Sequence, residues 1–85
     1  MSDAGHVGVI GAGSFGTAIA NLLSENSKVI LNAHTQGQAE EIRRTRKTHN
    51  QSVNEEIEVI SDHEELASKC ALIFPTVPLT IYNYL

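Results

Sequence analysis

The chain has 85 residues, a formal net charge of −4, 41% apolar residues and 19% charged residues. That is enough for one small domain and too little for two. The acidic balance excludes a general nucleic-acid or membrane-surface binder, which needs a basic field. No apolar run approaches the ~20 residues that cross a bilayer.

Residues 6 to 10, HVGVI, form a short apolar run suited to a parallel strand buried on both faces. Beyond the glycines that follow, Phe15, Ile19, Leu22 and Leu23 recur at helical spacing and predict one buried face of a helix to about Asn26. KVILNA (28 to 33) is a second strand. Gly37 to Lys47 reads as a second helix, with Glu40 and Glu41 near its start and Arg43, Arg44, Arg46 and Lys47 toward its end. That order complements the helix dipole, and Glu40 reaches Arg44 at i+4.

THNQSVNEE (48 to 56) is polar and reads as a loop, and IEVI (57 to 60) as a short strand. SDHE (61 to 64) fits a capping box, Ser61 capping and Glu64 reaching back, ahead of a short helix to about Ser68. CALIFPTV (70 to 77) is a fourth strand, interrupted by Pro75 and closed by Pro78. The single cysteine, Cys70, has apolar neighbours that predict a buried thiol. With no secretory pattern in MSDAGHVGVIG, a cytoplasmic setting is expected.

Strands alternating with helices imply right-handed crossovers and a parallel sheet. The predicted fold class is α/β, an open sheet with flanking helices and ligands expected beyond the carboxyl ends of the strands.

Gly11-Ala12-Gly13-Ser14-Phe15-Gly16 fits G-x-G-x-x-G, after a predicted strand and opening a predicted helix. Gly11 permits the tight turn, Gly13 lets a pyrophosphate approach the backbone, and Gly16 lets the helix pack on the strand. The amides around Ser14 and Phe15 then face the anion from the positive end of the helix dipole. The expected reading is the dinucleotide-binding turn of a Rossmann-type sheet, here ending after about four strands. A glycine-rich turn that serves packing alone is the alternative.

An NAD-preferring site places an acidic side chain about 20 residues after the glycines, on the ribose 2′-hydroxyl. No Asp or Glu occurs between Glu25 and Glu40, and His34 and Thr35 occupy that place. Neither repels a 2′-phosphate, and His34 has a hydrogen bond or partial charge to offer it. The expected cofactor is therefore NAD(P)H with a lean toward NADPH. A loop histidine in solvent is the alternative reading of His34.

Other chemistry is weaker. His6, His34, His49 and His63 lack metal-ligand spacing, and one cysteine completes no common zinc set. Ser14 lies outside a G-x-S-x-G elbow. The run RRTRK (43 to 47) reads as a solvated helix end, and Glu55, Glu56 and Glu58 as a strand edge.

GVIGAGSFGTAIANLL, with VILNAH after it and LIFPTVP further on, resembles the amino-terminal part of the bacterial NAD(P)-dependent glycerol-3-phosphate dehydrogenases. Gly11 to Ala18, His34, His49-Asn50 and Val77-Pro78 match that family's pattern in order. The resemblance implies that Ser14, Phe15 and His34 contact the dinucleotide, Phe15 lying beside the phosphates. It also implies reduction of dihydroxyacetone phosphate to sn-glycerol 3-phosphate, a phospholipid precursor, by hydride transfer.

The chain departs from the family at Asn32, often Trp, at Pro75 within the strand, at Leu79, and in a shortened loop after Asn50. The family's next lysine and its carboxyl-terminal helical domain are not among these residues. Residues 1 to 85 are thus expected to be the NAD(P)-binding part only, inactive alone and without a catalytic residue of their own. The phosphorylated triose would then be a partner only of a full-length enzyme. A fourth strand left as an edge, covered poorly by LTIYNYL, predicts limited stability or a homodimer. Two rival readings stay open: a non-catalytic nucleotide-binding or partner-binding module, and a related ketopantoate or β-hydroxyacid reductase.

Overall fold

In the computed structural model, residues 6–76 are described. Val77, Pro78, Leu79 and the LTIYNYL segment, on which several expectations fall, lie outside them. Nine elements follow in chain order among the described residues: β1 (His6–Ile10), α1 (Ser14–Leu23), β2 (Val29–Asn32), α2 (Gln36–Thr45), β3 (Lys47–Thr48), β4 (Gln51–Ser52), β5 (Glu58–Ile60), α3 (His63–Lys69) and β6 (Cys70–Pro75).

The main sheet has the order β5-β2-β1-β6, and all of its pairings are parallel. The expected α/β sheet is present, and its register matters for function. Ile10 stands opposite Asn32 and Pro75, and Asn32 opposite Ile60. All four strands therefore end level, and their carboxyl ends form one continuous edge.

Alternation along the strands divides the core in two. Val9, Val29, Leu31 and Val59 share one buried cluster with Ala20 of α1 and Ala39 and Ile42 of α2. Ile30 and Ile60 point the other way and bury Leu66 of α3, with Ile10, Cys70 and Ile73 packed around them. Two helices on one face and one on the other is what right-handed crossovers between these strands produce.

The α1 face is rotated from the expected one. Gly16, Thr17 and Ala20 are buried, while Phe15 is 68% and Leu22 62% exposed. The small residues win the inner face because the helix axis lies close to β1, leaving no room for large ones. Ile19 and Leu23 remain half-buried at its margin. The helix also ends at Leu23 rather than near Asn26.

The second helix stops at Thr45, two residues early. Arg46 takes a left-handed conformation (φ 55°) and donates its backbone N–H to the Ile42 carbonyl at 2.6 Å, closing the helix. The expected Glu40–Arg44 pair is replaced by Arg44–Glu41 at 2.6 Å, and Glu40 accepts from the Gln36 amide instead. The third helix is capped by Asp62 rather than Ser61: its carboxylate accepts from the amides of Glu64 and Glu65. A charged acceptor makes the stronger cap. Ser61 instead donates its hydroxyl to Gln36 at 2.8 Å.

The polar stretch expected as a loop contains an antiparallel hairpin, Lys47 opposite Ser52 and Thr48 opposite Gln51. His49 (φ 51°) and Asn50 (φ 62°) are its two turn residues, both left-handed as a type I′ turn requires. Asn21 of α1 holds the hairpin down: its amide donates to the Ser52 carbonyl at 2.8 Å and its carbonyl accepts from Asn54 N–H at 2.9 Å.

β6 lies at the edge of the sheet, so Pro75 sits where a missing donor is tolerated. The Thr76 N–H donates to Ile10 of β1. By strand alternation the nitrogen of Pro75 faces the outer side, where it breaks no bond of the ladder. Cys70 is half-buried rather than fully enclosed, on a strand that among the described residues pairs with β1 alone. Burial pushes its thiol pKa upward, with the Glu58 carboxylate adding to the effect.

Candidate dinucleotide site at the glycine turn

The chain leaves β1 through Gly11, whose φ of 107° is a conformation L side chains rarely adopt. The Gly11 N–H donates to the Asn32 carbonyl at 3.0 Å, tying the turn to the end of β2. Buried Ala12 follows, and Thr17 turns its hydroxyl back toward the Ala12 carbonyl at 3.4 Å.

Gly13 is the residue before α1, extended at φ −77° and ψ −171°. A β-carbon there would meet nothing within 4 Å. The first helical bond runs from Thr17 N–H to the Gly13 carbonyl at 2.9 Å, so the amides of Ser14, Phe15 and Gly16 precede the helix's own ladder. The other two helices end their first turns differently. Thr35 accepts from Gln38 N–H at 3.0 Å, and Asp62 caps α3. Gly13 has no side chain with which to cap α1, and the first turn of that helix carries no acidic residue. Open space, uncapped amides and the positive end of the dipole thus coincide at one point on the carboxyl edge of the sheet.

Gly16 belongs to the same turn for the opposite reason. A β-carbon on it would fall on the Gly11 carbonyl oxygen and stand 2.7 Å from the Thr76 hydroxyl. Its absence lets α1 lie against β1. Gly11 thus serves the turn and Gly16 the packing, as expected, while Gly13 leaves open space in front of the helix.

Ser14 and Phe15 open α1 with exposed side chains. The Phe15 side chain is exposed rather than in the core. Gln51 of the hairpin reaches over this turn, donating its amide to the Ser14 carbonyl at 2.8 Å. His34 sits in the bend after β2, two residues beyond the Asn32 carbonyl that holds Gly11. Its side chain is exposed, and its backbone N–H donates to the Gln38 carboxamide at 2.8 Å. Thr35 is already engaged as a helix cap, so of the two residues read at this position His34 has the freer side chain.

Sequence reasoning missed Thr76, Gln51 and Asn21. Thr76 lies at the end of β6, with its hydroxyl on the backbone of the glycine turn. Nothing in PTVP marks such a contact, which spans more than 60 residues. The hairpin that carries Gln51 was signalled only by His-Asn between two short polar pairs. Asn32 is also unexpected in its setting: the side chain is buried, and its carbonyl oxygen has no partner.

A separate cleft of about 520 Å³ runs along the outer edge of β5 and is lined by Arg43, Arg46, Val59, Ser61 and Asp62 among others. It contains no residue of the glycine turn. Among the described residues, no group of three or more His, Cys, Asp or Glu could hold a metal ion, and no helix is long and apolar enough to cross a membrane.

The family model described as the N-terminus of NAD-dependent glycerol-3-phosphate dehydrogenase matches residues 6–84. The chain is 35% identical over 83 residues to the glycerol-3-phosphate dehydrogenase [NAD(P)+] of Pseudomonas aeruginosa (strain LESB58), covering 92% of this chain and 24% of that protein. It is 40% identical over 77 residues to the enzyme of the same name from Pseudomonas savastanoi pv. phaseolicola, covering 85% and 23%. The chain spans about a quarter of the length of these curated relatives. No solved structure gives a significant match. With the parallel sheet and the glycine turn, these matches show that the chain belongs to the NAD-dependent glycerol-3-phosphate dehydrogenase family and corresponds to its N-terminal dinucleotide-binding portion.

Proposed function

We propose that residues 1–85 act as one NAD(P)-binding unit in which the turn Gly11 to Gly16 holds the diphosphate of a nicotinamide dinucleotide. The observation that carries this reading is the open Gly13 in front of the uncapped amides of Ser14 and Phe15. Two negatively charged phosphates gain hydrogen bonds there from donors that α1 leaves without partners. The exposed Phe15 ring provides an apolar flank beside them.

In the same reading His34 lies toward the adenosine ribose and favours NADPH. No carboxylate occupies the bend after β2, so a 2′-phosphate meets no like charge there. A longer enzyme of this family would interconvert dihydroxyacetone phosphate and sn-glycerol 3-phosphate, as the family resemblance implies; the relatives are named glycerol-3-phosphate dehydrogenase [NAD(P)+]. The 85 residues are expected to bind cofactor without turning that substrate over. Pairing of two copies in a cytoplasmic setting completes the reading; it is supported by the exposed Leu72 and Phe74 on edge strand β6.

Fluorescence titration of the chain with NADPH and, separately, NADH tests both parts. Saturable binding with NADPH the tighter ligand is expected. No binding of either overturns the diphosphate site, and a clear NADH preference overturns the role of His34 alone.

A further inference from the structure

We propose that Thr76 is a positioning residue for the dinucleotide, holding the glycine turn in its binding shape through one hydroxyl. This rests on the reading that the turn holds the diphosphate.

The Thr76 Oγ1 lies 2.7 Å from the Ile10 carbonyl oxygen and 3.2 Å from that of Gly11, so its single proton is shared between two consecutive peptide groups. The Thr76 N–H also donates to Ile10 at 2.9 Å, which extends the β1–β6 ladder past Pro75 and fixes where the side chain stands. The hydroxyl sits between the first and third glycines. A β-carbon on Gly11 would lie 2.6 Å from it, and one on Gly16 would lie 2.7 Å from it.

The consequence for binding follows from the freedom of glycine. Gly11 and Gly13 each allow the backbone many orientations, and only one of them presents the amides of Ser14 and Phe15 together. Gly11 is held from both sides: its N–H by Asn32 of β2, its carbonyl by Thr76 after β6. Releasing the carbonyl frees the peptide that leads into Ala12 and Gly13. A ligand must then order the turn as it binds, and its affinity falls by that cost. Thr76 does not itself touch the ligand in this account. Its place in the sequence is far from the motif it serves, and the glycine pattern alone does not reveal it.

The test compares the unaltered chain with Thr76→Ala and Thr76→Ser, using NADPH as the probe and circular dichroism to verify folding. Thr76→Ala should bind NADPH about tenfold more weakly, the loss expected for a hydrogen bond of this kind, and Thr76→Ser should stay within about twofold. If Thr76→Ala does not fold, Thr76→Val removes the same hydroxyl without reducing volume and is read in its place. Equal affinities across folded variants overturn the positioning role while leaving the diphosphate site intact. An unaltered chain that binds no NADPH overturns both.

Discussion

Gly16 stands so close to Gly11 that a β-carbon on the first would fall on the carbonyl oxygen of the second. Backbone on both sides of this contact leaves nothing flexible to move, whereas Gly13, three residues earlier, faces open space. Gly16→Ala should therefore destabilise the fold by about 2–3 kcal/mol, as overpacking against a rigid neighbour does. Gly13→Ala should cost about 1 kcal/mol or less, the difference between glycine and alanine before a helix. Urea midpoints measure both, and equal losses would contradict this division of labour.

Asn32 carries a conflict that substitution can relieve. The residue is 2% exposed, its side-chain amide makes one long bond of 3.4 Å to the Ala33 carbonyl, and its side-chain oxygen Oδ1 is unpartnered. An orphaned buried acceptor costs about 1–3 kcal/mol. Asn32→Val removes both polar groups with a small gain in volume, suits a strand, and should raise the stability of the ligand-free chain by about 1 kcal/mol. A lower thermal midpoint would show that the oxygen has a partner in solution.

Arg46 closes α2 and also serves the edge of the sheet. Its guanidinium donates to the Asn54 carbonyl at 2.5 Å and to the Ile57 carbonyl at 2.7 Å, while Arg43 donates to Val59 at 2.9 Å. Arg43 thereby occupies an acceptor of edge strand β5, and Arg46 ties down the segment that leads into it. Arg46→Ala should lower stability by about 2 kcal/mol, since bonds from a charged donor are the stronger kind. Denaturant unfolding measures it, and an unchanged midpoint would remove this anchoring role of Arg46.

Two neighbouring groups set an alkaline limit. Hydrogen bonds to Glu65 and then Glu58 raise the Lys69 pKa above the ordinary lysine range. Burial first, and Glu58 second, raise that of Cys70 above the ordinary thiol range. Each group holds its proton more tightly folded than unfolded, so its contribution is complete below the unfolded pKa and is lost as pH rises through the folded one. The urea midpoint should begin to fall above about pH 8.5, where the Cys70 thiol ionises in the unfolded chain, and fall further above about pH 10, where Lys69 does. The fall should be shallower in the Lys69→Met, Cys70→Ala double variant. An identical slope in both chains would contradict this assignment.

The sequence was most legible where one residue type has one physical use. Gly11 and Gly16 are assigned a turn and a packing contact before any coordinates, because a left-handed φ and a backbone contact this close each call for glycine. Alternating strands and helices likewise dictate a parallel sheet with the glycine turn at its carboxyl edge. Hydrophobicity misled at Phe15 and Leu22, whose helical spacing imitates a core face. The close approach at Gly16 assigns the inner side to Thr17 and Ala20 instead. The cap of α3 was missed by one residue because serine and aspartate stand side by side, and packing of Leu66 against Ile30 and Ile60 sets the helix register. Thr76 and Gln51 were illegible for another reason. They reach the site only after the chain has crossed the sheet, and local pattern carries no trace of that.

The most direct measurement is an amide nuclear magnetic resonance titration of the isotopically labelled chain with NADPH. Saturable shifts centred on the N–H groups of Gly13, Ser14 and Phe15, with smaller ones near His34, are the predicted result. Shifts that leave these amides unmoved and cluster instead around Arg43 and Arg46 would place the ligand in the β5 cleft and contradict the account.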